Sequence, residues 1–223
     1  MLDHFNFLGL QIDSHLKWNT HIKKISGKLP NLIGIISRFK YILPQHILKM
    51  IYTTLIVPHF NYCLLIWGCN MQRITKLQKR AIRIISLNHY TAHTEPIFKS
   101  LNILKLQDIY RLRLYKFYYG LEKSTYPQYF LDFQQPEGRL HPYNTRTRNN
   151  NNLTSINIKH EFAKRSIQYN LIKEIAAAPN TFKSKLHTHS SAGFAKYIKL
   201  TIINNYSDIC TINLCYSCRN SQS

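Results

Sequence analysis

Four basic residues recur along one predicted helix, 71–87, at the spacing that stacks side chains on a helix face. They are Lys76, Lys79, Arg80 and Arg83, at positions i, i+3, i+4 and i+7. Like charges at this spacing repel one another and weaken an isolated helix. A polyanion lying along the helix would relieve that repulsion. We call these four residues the basic stripe and predict that they contact phosphates.

A second group of cations lies in the predicted helix 106–121, where basic and aromatic residues alternate. Such a mixture can hold phosphates and stack on bases, as single-strand binding proteins do. From these residues alone, an aromatic core helix with a solvated basic face is the favoured interpretation. The second group still belongs to the hypothesis of a phosphate-binding protein. The predicted nucleic-acid-binding residues are Lys76, Lys79, Arg80, Arg83, Arg111, Arg113 and Lys116.

The whole sequence is strongly basic, with 30 Lys and Arg against 10 Asp and Glu and a formal net charge of +20. Nucleic acid is the favoured partner, because each neutralised phosphate releases counterions. An anionic membrane surface is the rival, but the most apolar stretch, 51–67, is interrupted by Pro58, His59 and Asn61, so no spanning helix is predicted. The start, MLDHFNFLG, lacks the pattern of a signal peptide. We expect a protein of the nucleus or cytoplasm that is not secreted.

The carboxylates do not predict a catalytic site. A two-metal centre needs acids held close together, and no adjacent pair exists in this sequence. We therefore expect no catalytic residues. The ten acids occur singly, at Asp3, Asp13, Glu95, Asp108, Glu122, Asp132, Glu137, Glu161, Glu174 and Asp208.

The cysteines offer at most part of a metal site. Cys210, Cys215 and Cys218 have the spacing of half a zinc site, which His187 or His189 would complete. A lone Cys-x-x-Cys pair is frequent by chance, and structural zinc needs four ligands. We therefore predict no metal and no other cofactor. The odd number of cysteines in an unexported chain indicates reduced thiols.

The periodicity of the apolar residues predicts a mainly α protein. Only the segment 5–13 alternates like a strand, and it has no evident partner elsewhere in the sequence, so we expect it to pair outside the chain. Trp18 and Trp67 lie beside apolar helical faces and are predicted to be core residues. The predicted helices are 19–40 with a break or bend at Pro30, 45–56 ending at Pro58, 71–87, 96–101, 106–121, 159–178 and 181–186.

Six segments resemble, in the same order, the region that follows the catalytic core of jockey-like non-LTR retrotransposon reverse transcriptases. The start is similar to the family's "YLG" strand and "D…L.W..HI" helix, although Phe7 replaces the tyrosine. Near the end, Ala163 replaces the usual glycine, and 170–178 lacks the usual Trp-Asn-Pro ending. The segments are FNFLGLQIDSHLKWNTHIKKI at 5–25, MIYTTLIVPHFNYCLLIWG at 50–68, LQKRAIRII at 77–85, EPIFKSLNILKLQDIYRLRLYKFYY at 95–119, YNTRTRNN at 143–150 and HEFAKRSIQYN at 160–170.

The resemblance implies a thumb and post-thumb region of an RNA-directed DNA polymerase, from a transposable element, that contacts template–primer nucleic acid. The family's catalytic Asp-Asp pair is absent, so we expect a non-catalytic fragment that binds RNA–DNA or DNA duplex without sequence preference and without a membrane. The implied domains are a residual palm-edge strand at 1–16, a helical thumb-like bundle at 17–121, a linker rich in Pro, Asn and Arg at 122–158, and a small helical C-terminal segment and tail at 159–223.

Two other hypotheses stay open at this point. In the first, the chain is a protein-interaction module retained by a host, in which the helix 71–87 offers its apolar face to a protein partner. In the second, it is an enzyme whose palm is supplied by another chain or by an upstream exon. A stoichiometric complex without nucleic acid would favour the first, and polymerase activity lost on chelation would favour the second.

Overall fold

The computed structural model describes residues 4–131, 160–178 and 180–208. It confirms the predicted class, since the chain is mainly helical with a short antiparallel sheet at its N-terminus. The predicted linker falls mostly outside the described residues, as do the motif at 143–150 and the three C-terminal cysteines. The strands are β1 His4–Phe7 and β2 Leu10–Asp13, and the helices are α1 Asn19–Phe39, α2 Gln45–Ile51, α3 Val57–Asn61, α4 Leu64–Trp67, α5 Gln72–Ile85, α6 Thr94–Ser100, α7 Leu106–Glu122, α8 Gln128–Leu131, α9 Ile167–Ala176, α10 Asn180–Thr188 and α11 Ser191–Asn204.

The two strands form a hairpin, which corrects the expectation that segment 5–13 lacks a partner within the chain. β1 pairs with β2 in antiparallel register, with Phe7 opposite Leu10. Leu8 and Gly9 make the turn, and both have positive φ, at 47° and 85°. Two-residue turns of the I′ type require this conformation because it matches the twist of the strands. A leucine at the first turn position carries no turn signal, and the prediction missed the turn for that reason.

One continuous helix, α1, runs through Pro30, so of the two predicted alternatives, a break or a bend at the proline, the break is wrong. Pro30 is exposed and has no N–H to donate to the turn before it. Packing outweighs that loss, because one face of α1 is fully buried. Its buried apolar residues recur at helical spacing and are Ile22, Ile25, Leu29, Ile33 and Ile36.

The helix predicted to stop before Pro58 instead continues to Asn61. Residues Tyr52–Ile56 form a π-helical turn between α2 and α3, in which the N–H of Val57 donates to the carbonyl of Tyr52. Pro58 then lies in the first turn of α3, where a backbone donor is not needed. The prediction that Pro58 ends the helix was therefore wrong, because the wide turn places the proline where a helix tolerates it.

The chain divides into two compact units, and each is described by itself. Unit 1 contains the described residues of Met1–Ile109 and Lys199–Ser223, and unit 2 contains those of Tyr110–Ile198. The bounds of the two units fall within α7 and α11. The predicted domains instead have limits at 121 and 158, and that division stays a prediction. Unit 1 has α1 and α5 packed against each other, with β2 against α1. Trp18 and Trp67 are buried, at 7% and 0% exposure, so their assignment to the core is confirmed.

Unit 2 is built around aromatic rings. Phe182 of α10 contacts Tyr115 of α7 and Phe194 of α11, with ring centroids 4.6 and 5.3 Å apart. Gly120 of α7 faces Tyr126, and a Cβ added at Gly120 would lie 2.3 Å from that ring. Any other residue at position 120 would therefore force the Tyr126 ring to move. The sequence did not predict α11, which carries Phe194.

Candidate nucleic-acid interface

Three members of the basic stripe are exposed on α5. Lys76, Lys79 and Arg80 all face solvent, whereas Arg83 is half-buried. The opposite face of α5 is buried, and its completely buried residues include Ile74, Ile82 and Ile85. The sequence predicts an apolar face of Ile74, Leu77, Ala81 and Ile84, and the structure buries Ile74 and Ala81 but leaves Leu77 and Ile84 half-buried.

Packing of the apolar face holds α5 in place despite the repulsion among its cations. Burying one isoleucine side chain contributes about 1.5–3 kcal/mol. A like-charge pair four residues apart costs roughly 0.2–0.5 kcal/mol. The three buried isoleucines therefore outweigh the pairs formed along the stripe. The fold can keep these cations together without partners of opposite charge.

A buried glutamine fixes α5 against its neighbours in unit 1. The side-chain amide of Gln78 donates to the hydroxyl of Tyr52 and to the carbonyl of Leu104, both at 3.0 Å. Its side-chain oxygen accepts from the N–H of Leu106 at 2.8 Å. Burial and the bond from Gln78 act on Tyr52 in opposite senses, and burial dominates, so the pKa of the Tyr52 hydroxyl is raised. Gln78 points inward and leaves the basic stripe facing outward.

No carboxylate in the described part of the chain neutralises the exposed part of the stripe. Lys76, Lys79 and Arg80 make neither an ion pair nor a side-chain hydrogen bond there. The acids of unit 1 that the structure describes are engaged elsewhere. Asp13 accepts the N–H groups of Lys17 and Asn19, Glu95 pairs with Lys105, Asp108 accepts from Tyr206, and Asp208 pairs with Lys99.

Arg83 differs from the other three, because it also has a structural contact. Its Nε donates to the carbonyl of Ala92 at 2.8 Å. Burial lowers the pKa of the guanidinium. The bond ties the end of α5 to the chain that returns after it, and this contact could not be read from helical spacing. Arg83 therefore serves the fold as well as the positive charge of the surface.

The second predicted group lies in unit 2, on α7. Arg111 pairs with Glu174 through Nε and Oε2, 3.3 Å apart, so its charge is partly neutralised. Arg113 is half-buried and Lys116 is exposed. The aromatic residues of this helix belong to the core of unit 2, where Phe117 and Tyr118 are buried. This agrees with the interpretation of an aromatic core helix and leaves its cations as a weaker candidate site.

A cleft in unit 1 contains functional candidates that the sequence did not reveal. It has a volume of about 530 Å³ and includes two basic-stripe residues, Arg80 and Arg83. Its other walls come from the end of α1 and from the turn after α5. Because these segments are distant in sequence, only the fold brings them together. The sequence offers one local signal that could have indicated this turn, a tyrosine among polar residues in NHYTAH at 88–93.

The described residues also bear on metal binding and on membrane spanning. Across 4–131, 160–178 and 180–208, no group of three or more His, Cys, Asp or Glu side chains is arranged to hold a metal ion. Cys210, Cys215 and Cys218 lie outside the described residues, so the zinc alternative stays open. Among the helices of the described chain, none is both long enough and apolar enough to span a membrane.

The chain matches no family model, no curated protein and no solved structure.

Proposed function

We propose that this chain is a thumb-like region of a non-LTR retrotransposon reverse transcriptase, and that it binds nucleic acid without sequence preference. The observation that carries the proposal is the exposed basic stripe. Lys76, Lys79 and Arg80 stand in a row on α5 without carboxylate partners in the described chain. Phosphates of a template–primer duplex would supply the missing negative charge. The order of the six motifs supports the family, and the charge supports the ligand.

The proposed role is binding and not catalysis. Lysine and arginine contacts to phosphates position a duplex but read no bases. The sequence contains no adjacent pair of aspartates that would hold two catalytic metal ions. We therefore propose that the chain alone does not extend a primer. Primer extension by the purified chain, abolished by a chelator, would favour the alternative of an enzyme completed by another chain.

The alternative of a protein-interaction module depends on a surface that is buried in the structure. It required the apolar face of α5 to be available to a partner, yet Ile74, Ala81 and Ile82 on that face are completely buried. The accessible side of α5 is the charged one. A protein partner would have to use some other part of the chain, and the exposed charge favours a polyanion.

The test is the affinity of the purified chain for a fluorescent RNA–DNA duplex at low salt. The variant K76A/K79A/R80A removes the exposed part of the basic stripe and keeps Arg83, which also supports the fold. The control K17A/K23A/K28A removes the same charge from exposed positions at or near α1. We expect the stripe variant to bind at least about tenfold more weakly and the control to bind within about threefold of the original chain. Equal losses in both variants would mean that only net charge matters and would contradict the proposal.

A further inference from the structure

The cleft at the end of α5 combines features that a smooth phosphate-binding face does not need. Three segments of unit 1 surround it: the end of α1, the last two turns of α5 and the turn that follows. Its volume of about 530 Å³ falls within the range of small-molecule sites. Among its lining residues are three cations and three aromatic side chains: Lys40, Arg80, Arg83, Tyr41, His89 and Tyr90.

The charges of the cleft favour an anion. Lys40, Arg80 and Arg83 line it, and no carboxylate is among its lining residues. Arg83 is fixed by the hydrogen bond from its Nε to the carbonyl of Ala92. Arg80 is exposed and makes no ion pair in the described chain, so its guanidinium is available. A phosphate entering the cleft would therefore meet one anchored cation and one available cation.

The aromatic residues of the cleft favour a flat partner. Tyr41 and Tyr90 are 80% and 77% exposed, far more than a tyrosine that serves the core. The ring of His89 supports that of Tyr90, with centroids 4.4 Å apart, and the Nζ of Lys40 lies 4.5 Å from the centroid of Tyr41. Exposed rings beside cations are the elements with which single-strand binding proteins hold bases and phosphates.

Paired bases in a duplex do not expose their faces, whereas an unpaired nucleotide does. We propose that this cleft takes one unstacked nucleotide of a single-stranded RNA or DNA, with its base against Tyr90 and Tyr41 and its phosphate on Arg80 and Arg83. This inference rests on the proposed nucleic-acid binding. It adds a preference for a single strand next to the duplex contacts. Arg80 belongs to both surfaces, so a strand leaving the cleft would continue along the basic stripe.

The test uses two ligands, a short oligouridine and a short RNA–DNA duplex, at the same ionic strength. In the variant Y41L/Y90L we expect affinity for oligouridine to fall at least about fivefold, because stacking on an aromatic ring is worth that much per base. Affinity for the duplex should change less than about twofold, since the basic stripe is intact. Y41F/Y90F keeps both rings and should retain the affinity for oligouridine. Y129L, which removes an exposed tyrosine of unit 2, is the control and should bind both ligands normally.

Each outcome separates the two proposals. Unchanged binding of oligouridine by Y41L/Y90L, with duplex binding that depends on the stripe, would overturn the cleft inference alone. A chain that binds neither ligand would overturn the proposed function and the inference with it. An equal loss of affinity for both ligands in Y41L/Y90L would also overturn the inference, because the two rings would then not favour single strands over duplex. If uridine monophosphate competes as effectively as the oligonucleotide, the cleft binds a free nucleotide, and the inference of a single-strand site is overturned.

Discussion

At the scale of single residues, two polar side chains within the motifs that resemble the family stabilise the fold through hydrogen bonds. Gln78 lies within the LQKRAIRII motif, and the structure places it in the core with three hydrogen bonds. Asp13, in the first motif, accepts the N–H of Lys17 at 2.7 Å and that of Asn19 at 3.1 Å, and so holds the start of α1. These contacts explain the residues by packing and backbone geometry. By contrast, Lys76, Lys79 and Arg80 have no side-chain contact in the described chain that would give them a structural role.

Replacing Gln78 by alanine should destabilise the chain strongly. The change leaves the hydroxyl of Tyr52, the carbonyl of Leu104 and the N–H of Leu106 without their partner in a buried site. We expect the free energy of unfolding to fall by about 2–4 kcal/mol, measured by urea denaturation. The control is Q72A, at an exposed position of the same helix. A loss below about 1 kcal/mol for Q78A would show that the network contributes little.

The ion pair of Glu95 and Lys105 predicts a pH dependence of stability. The hydrogen bond from Lys105 is the main reason that the pKa of Glu95 lies below its ordinary value of 4.5, and burial opposes it. A carboxyl whose pKa is lowered on folding contributes stability above its unfolded value, and that stability is lost as pH falls through the folded value. We expect E95Q to be less stable than the original chain at neutral pH, and the difference to shrink below pH 4.5. Urea denaturation of both chains, from neutral pH to below pH 4.5, measures this difference in the free energy of unfolding. A difference independent of pH would refute the assignment.

At the scale of elements, helical periodicity predicted α5 and the face that carries its cations, because the pattern 74–85 is local, but it missed the burial of Gln78, Ile82 and Ile85. It did not predict the hairpin turn, the π turn before Pro58, or α11. Leu8 is an unusual residue for a turn, and the proline is tolerated only after the wide turn has changed the register. The cleft was also missed, since Tyr41 and Tyr90 come together only through tertiary structure.

The hairpin turn provides a prediction at this scale. Leu8 has φ of 47° and is 78% exposed, so it carries the cost of a left-handed conformation without the benefit of burial. Asparagine adopts this conformation more readily, and L8N should raise the free energy of unfolding by up to about 1 kcal/mol. Thermal unfolding followed by circular dichroism measures the change. I42N, at an exposed position without positive φ, should not stabilise. A destabilised L8N would mean that the Leu8 side chain has a packing role.

At the scale of the whole molecule, the excess of positive charge is the property that most needs an external partner. Thirty cations face ten carboxylates. The acids described in unit 1 are engaged by Lys99, Lys105, Tyr206 and the backbone before α1, and not by the basic stripe. Composition alone predicted a polyanion as partner. The structure adds that three uncompensated charges of unit 1 stand in a row on α5, beside the cleft, whereas Lys17, Lys23 and Lys28 carry others at or near α1.

The most direct measurement is the salt dependence of duplex binding, compared between the original chain and K76A/K79A/R80A. Each phosphate contact contributes about 0.9 to the slope of log K against log salt for a DNA duplex. We expect the variant's slope to be smaller in magnitude by about 2–3 and the slope of K17A/K23A/K28A to stay at the original value. A stripe variant with the original slope would contradict the proposed function, because the cations of α5 would then contact no phosphate.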